Sequence, residues 1–246
     1  MILLCDVVSN EQLAQGLYAM LLDAQLAVQP GQFIHVKCGE LTLRRPISVA
    51  SVSAEGLRIC YEVRGEGTAW LAGLKAGDKL DIMGAIGNGF DVSDLGRRVL
   101  LVGGGIGIYP LYMPAQAYGA NAYAALGFRD KSAVNFEREF RDTGCDLRIS
   151  TDDGSYGHSG LVTELAREIL ENSKIDIVMA CGPRAMMRAV YELAAARGVR
   201  CQVSLEERMA CGVGACLVCV CKVNGQNRRV CVDGPVFEGS EVDWGW

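Results

Sequence analysis

Up to about Leu95 the apolar residues come in short stretches broken by Gly, Pro and Asn, among them Gly31–Cys38, Ile47–Val52, Leu57–Val63 and Lys79–Met83. Several alternate apolar and polar positions with period two, as a strand does when one face is buried. Short strands at this spacing predict a small antiparallel barrel. Beyond Arg97 the rhythm changes to strand, turn, helix. A buried strand at Val99–Val102 leads into a helix, and Ala122–Gly127 precedes a helix around Ser132–Arg141. Leu147–Thr151 then precedes Leu161–Leu170, and Ile175–Ala180 precedes Ala185–Ala196, with a last strand near Val199–Leu205. Strands and helices alternating at this length give a parallel sheet covered on both faces. From Glu206 the regular pattern fades. The predicted fold class is β + α/β, with an antiparallel barrel over 1–96, a nucleotide-binding α/β domain over 97–205 and a small appendage over 206–246.

Composition narrows what such a chain does. Its 246 residues exceed one ordinary domain of about 100–200 residues. The formal net charge is −5 and no Lys/Arg block occurs, which argues against a nucleic-acid or membrane-surface role, because phosphate binding needs clustered positive charge. Met1–Cys5 lacks the basic flank and length of a signal segment, and no apolar run approaches a membrane span. The expectation is a cytoplasmic protein whose partners are small molecules or another protein.

In that compartment thiols stay reduced, so eleven cysteines direct attention to metal rather than disulfides. Cys5, Cys38, Cys60, Cys145, Cys181, Cys201 and Cys221 are scattered and read as small core residues. Cys211, Cys216, Cys219 and Cys231 instead form C-x4-C-x2-C-x11-C, with Gly212, Gly214 and Ala215 in the first loop. Small residues there let backbone N–H groups turn toward sulfur. The first three positions match plant-type [2Fe–2S] spacing, and long-range folding has to bring in the fourth. Four thiolates also suit tetrahedral zinc, although zinc sites usually carry two C-x2-C pairs. Cys221, two residues after Cys219, is read as a bystander that an extended segment would place on the same face.

Other motifs point to anionic ligands. Arg45-Pro46-Ile47-Ser48 lies on a strand, followed by Cys60-Tyr61-Glu62 and then Gly67-Thr68; a strand Arg beside a hydroxyl, and a Gly-Thr pair opening a helix, both offer donors to a diphosphate. Gly103-Gly104-Gly105-Ile106-Gly107 follows a buried strand and precedes a helix, which favours a phosphate, although it departs from G-x-G-x-x-G. Cys181-Gly182-Pro183 follows another buried strand at the edge where open parallel sheets bind ligands. Taken singly, each is also compatible with an ordinary turn or a surface ion pair.

In this order the motifs resemble those of the ferredoxin–NADP reductase superfamily across about the first 205 residues. Arg208 to Cys219, with Cys231 to Phe237, is similar within it to the electron-transfer subunits of NAD-linked, two-subunit class 1B dihydroorotate dehydrogenases. The resemblance implies FAD on the barrel, contacted by Arg45 to Ser48, the Cys60–Glu62 strand and Gly67-Thr68. It implies NAD as substrate on the α/β domain, at Gly103, Gly104, Gly105, Gly107, Cys181, Gly182 and Pro183. It further implies a [2Fe–2S] cluster on Cys211, Cys216, Cys219 and Cys231, and a separate FMN-containing catalytic subunit in a heterotetramer of pyrimidine biosynthesis. The flavin subunit of another NAD(P)-linked complex, such as a sulfide dehydrogenase or a ferredoxin reductase, and a zinc-bearing non-redox module are the alternatives.

The two histidines fit a relay rather than substrate chemistry. His35 lies in an apolar strand and reads as structural, His158 in a Ser-Gly turn reads as solvated, and neither is patterned with an acid or nucleophile. Asp130 stands about 20 residues beyond the glycine loop, the distance expected of a ribose-binding acid, with Arg129 beside it. Met209, Val213, Leu217 and Val218 surround the cysteines and suit either a docking face or local packing.

Overall fold

In a computed structural model describing residues 1–245, six strands close into an antiparallel barrel. They are β1 (Ile2–Ala14), β2 (Leu17–Asp23), β3 (Phe33–Val36), β4 (Arg45–Ser53), β5 (Gly56–Glu62) and β6 (Lys79–Ile86), ordered β1-β2-β5-β4-β3-β6. Alternation turns Ile34 and Val36, Val49, Leu57 and Ile59, and Leu80 and Ile82 into one interior, to which the helix α1 (Glu66–Ala72) adds Leu71. Closure removes the open strand edges that would otherwise invite pairing with other chains. β1 and β2 fall outside the four stretches that predict strands from sequence. β1 is diluted by Ser9, Asn10, Glu11 and Gln12, and register shifts at Val7/Ser9 and Gln12/Ala14 break its alternation.

The second sheet contains β7 (Val99–Gly104), β8 (Ala122–Phe128), β9 (Asp146–Thr151), β10 (His158–Ser159), β11 (Ile177–Cys181) and β12 (Arg200–Ser204), all parallel, in the order β10-β9-β8-β7-β11-β12. β7 and β11 are buried along their whole length, as expected of central strands covered on both sides. The chain steps outward from β7 through β10 and then returns to β7's other side. That reversal is the switch point at which sheets of this kind bind ligands.

The helices here depart from expectation in two places. After β7 comes a 3₁₀ turn over Gly105–Leu111, with Gly105 at φ +56 and Pro110 inside, before α2 (Tyr112–Tyr118). The single helix predicted around Ser132–Arg141 is split into a 3₁₀ turn at Lys131–Ala133 and α3 (Glu137–Asp142). Between them Phe136 takes φ +58, and the Asn135 side chain accepts a 2.7 Å hydrogen bond from the buried Tyr109 hydroxyl, a tertiary contact that overrides helix propensity. α4 (Val162–Asn172) and α5 (Arg184–Ala195) follow the predicted spans to within two residues.

The C-terminal stretch, where sequence pattern fades, contains the hairpin β13 (Val220–Val223) and β14 (Gln226–Arg229), then β15 (Val236–Glu238). β15 pairs antiparallel with β12 and so extends the parallel sheet. Arg200 joins Glu238 of β15 to Asp91 of the segment between barrel and sheet, with 2.6 Å contacts to both carboxylates. Among the described residues no helix is long and apolar enough to cross a membrane.

Candidate functional site

β4 and β5 place Arg45, Pro46, Ile47, Ser48, Cys60, Tyr61 and Glu62 along one cleft, with Thr68 at its rim. Gly67 lies behind the rim, where a β-carbon would come within 2.6 Å of Arg45 Nε. Its lack of a side chain is what lets the guanidinium cross the start of α1. Thr68 Oγ1 accepts from the amides of Arg64 (2.9 Å) and Gly65 (3.3 Å), tightening the turn before α1. Tyr61 is fixed by stacking on Tyr18 at 5.8 Å and by donating to Asn10 at 2.8 Å. The opposite wall, Ile106 and Tyr109 from the turn after β7 and Leu205, Glu206, Glu207 and Met209 from the C-terminal stretch, was not foreseen from sequence, since only tertiary folding apposes it.

At the switch point β7 and β11 run side by side, with Gly103 paired to Cys181. Gly104, Gly105, Gly107, Gly182 and Pro183 line the cleft between their carboxyl ends. Gly103 and Cys181 sit behind it. Gly103 packs under Ile108, and burial raises the fully enclosed Cys181 thiol above its ordinary range. Gly107 passes so close to Cys181 that a β-carbon would overlap the latter's carbonyl. The cleft continues past Gly127, Phe128, Arg129, Asp152 and Met186. Asp130 does not line it. Its carboxylate caps the turn at Lys131–Ala133, accepting from the amides of Ser132 (2.9 Å) and Ala133 (3.3 Å).

The four cysteines are brought together by the folds between them. Gly212 (φ +70) and Gly214 (φ +79) curl the first loop inward, so that the amides of Val213 and Cys216 each reach Cys211 Sγ at 3.4 Å. The Val213 amide above all, with the Cys216 thiol and further amides, pushes the Cys211 thiol down to about 6. The hairpin β13–β14 closes the eleven-residue gap, with Val230 donating to the Cys219 carbonyl at 2.9 Å. Arg229 braces the loop through the Gly214 carbonyl at 3.3 Å. Asn88, past the end of β6, holds Val232 and Asp233 through their carbonyls at 3.2 and 3.1 Å. Burial, then the neighbouring Cys219 thiol, push Cys231 up to about 12.

Side-chain hydrogen bonding links the Cys211 thiol to Cys216 and the Cys231 thiol to Cys219. Among the described residues no three His, Cys, Asp or Glu side chains converge as a single ion requires. The amides aimed at Cys211 Sγ, together with the plant-type spacing, suit an iron–sulfur cluster. Cys221, on β13, points into the core and is wholly buried.

Comparison with known proteins agrees with this geometry. Residues 206–243 match the family model described as the iron–sulfur cluster binding domain of dihydroorotate dehydrogenase B. The chain is 43% identical over 243 residues to the dihydroorotate dehydrogenase B (NAD(+)) electron transfer subunit of Caldanaerobacter subterraneus, covering 96% of each chain. It is equally 43% identical to that of Geobacillus thermodenitrificans, again over 96% of each. A solved NADH-dependent reduced ferredoxin–NADP oxidoreductase, studied for flavin-based electron bifurcation, superposes with TM-score 0.88 at 33% identity, over 99% of this chain and 91% of that one. A cytochrome P450 reductase from Amycolatopsis shares the fold, at TM-score 0.70 and 23% identity over 80% of this chain and 66% of that one. The chain thus belongs to the family of NAD(+)-linked dihydroorotate dehydrogenase B electron transfer subunits.

Proposed function

We propose that this chain links the FMN of a catalytic partner, where dihydroorotate is oxidised, to NAD+, using a [2Fe–2S] cluster and FAD, within a heterotetramer of pyrimidine biosynthesis. When bound, the cluster supplies single-electron transfer and the flavin couples it to two-electron exchange with the nicotinamide. The observation that carries this reading is that one strand serves both sites. Phe33 of β3 lines the cleft of Arg45 to Ser48, and His35, two residues on and on the same side, packs against Gly212 of the cysteine loop.

The roles of the chain's own residues follow from placement. Arg45 supplies fixed positive charge for a diphosphate, with Ser48 and Thr68 as hydroxyl donors; Pro46, Ile47, Cys60, Tyr61 and Glu62 shape the bed of the flavin. Gly104, Gly105 and Gly107 let backbone approach the nicotinamide dinucleotide closely, opposite Gly182 and Pro183, with Gly103 and Cys181 supporting that cleft from behind. Cys211, Cys216, Cys219 and Cys231 hold the cluster. Val213, Leu217, Val218 and Val232 stand exposed around those cysteines, an apolar rim fitted to the partner subunit.

The 33% identical ferredoxin–NADP oxidoreductase keeps a ferredoxin-linked role as the second reading. Anaerobic purification followed by a visible spectrum and by iron, sulfide, zinc and flavin analysis tests the cofactor assignment. Flavin bands with iron and acid-labile sulfide are expected, and colourless protein containing zinc would refute it.

A further inference from the structure

His35 is a fully buried polar residue to which the fold gives no side-chain partner among the described residues. Its neighbours on β3, Ile34 and Val36, point into the barrel, so alternation turns His35 outward, toward the C-terminal stretch. It is nonetheless completely buried, and neither ring nitrogen has a hydrogen-bond partner among the described residues. A buried donor or acceptor left unpaired costs about 1–3 kcal/mol. An apolar residue would fill the position without that cost.

What covers the ring is the loop of the first two cysteines. A β-carbon on Gly212 would lie 2.8 Å from His35 Nδ1 and 2.9 Å from Cε1. Arg44 donates to the His35 carbonyl (3.4 Å) and to Asp81, and a guanidinium, which only donates, cannot take the ring N–H. Burial first, and the Arg44 charge second, push the imidazole down to about 4. At neutral pH the ring is uncharged, with one N–H to donate. Among the described residues no carbonyl or carboxylate is placed to take it. The acceptors that the loop is built to surround are sulfurs.

We propose that His35 is a positioning residue for the iron–sulfur cluster, its ring N–H donating to a sulfur of the cluster or of the thiolates that hold it. The inference rests on the cluster reading above. A hydrogen bond to sulfur favours the reduced, more negative state, so its loss makes the cluster harder to reduce.

Because the chain has only two histidines, labelling is selective. His158 is held on the far side of the sheet by Glu164 at 2.8 Å, on the terminal strand β10. The complex is prepared with ¹⁵N-histidine and reduced, and the paramagnetic cluster is examined by pulsed electron paramagnetic resonance. An imidazole ¹⁵N coupling is expected, and it is expected to disappear in His35→Leu but not in His158→Leu. The cluster potential should shift negative in His35→Leu and return most of the way in His35→Gln, which restores an N–H. A normal cluster signal without histidine nitrogen coupling overturns the inference and leaves the cluster reading intact. Equal potentials in wild type and His35→Leu also overturn it. Protein without iron overturns both. The labelled wild-type complex decides the matter even where His35→Leu fails to load.

Discussion

The guanidinium of Arg45 lies across Gly67, so close that a β-carbon there would stand 2.6 Å from Nε and 2.9 Å from the central carbon. Residues 22 positions apart on a strand and a helix thus form one structure. Gly67→Ala should push the Arg45 side chain aside while leaving the fold nearly intact. FAD affinity should fall about tenfold, the equivalent of about 1.4 kcal/mol, in line with losing a charge-assisted hydrogen bond. Equilibrium flavin release from the purified complex measures it, and unchanged affinity would detach Arg45 from the flavin.

Gly105 and Gly107 separate two reasons for glycine in one loop. Gly105 has φ +56 with open space at its β-position, so Gly105→Ala carries backbone strain alone, about 1 kcal/mol. Gly107→Ala collides with the backbone of Cys181 and Gly182, which cannot rotate away. It should cost about 3 kcal/mol of stability or more and disrupt NAD+ binding. Thermal melts and NAD+ titration of the two variants should rank them in that order.

The fourth cluster ligand is a choice between Cys231 and Cys221. Cys231 hydrogen-bonds the Cys219 thiol, an interaction that Cys221, equally buried on β13, does not make. Cys231→Ser should lose the cluster by iron analysis, and Cys221→Ser should keep it. Iron loss in the second variant would reassign the ligand.

Asp91 gives the fold a pH-dependent tie. Hydrogen bonds from Ser93 and then Arg200 hold its carboxyl well below the ordinary 3.8. A depressed carboxyl stabilises the folded state above the unfolded value and loses that contribution as pH falls through the folded one. Asp91→Asn should therefore cost about 1–2 kcal/mol near neutrality. The gap to wild type should shrink as pH drops below 3.8. Urea unfolding at a series of pH values measures it, and a gap independent of pH would exclude the ion pair as its source.

Much of this was legible in the sequence, because period-two alternation and the strand–turn–helix rhythm are local signals. The two glycine-rich turns and the first three cysteines are local as well. What escaped depended on tertiary contacts. β1 hid its strand behind bulges, Asn135 broke a helix to serve Tyr109, and Asp130 became a cap. β15 gave little signal because three residues at a sheet edge carry no periodicity. His35 read as structural in sequence, and only the fold shows that it is buried without a partner beside the cysteine loop.

The most direct test of electron transfer is reconstitution with the proposed FMN-containing catalytic partner under anaerobic conditions, following NADH formation on addition of dihydroorotate. NADH should accumulate only when both subunits are present, and the Cys231→Ser subunit should not support it. If both subunits carry their flavins and iron and no dihydroorotate-dependent NADH forms, the assignment is contradicted.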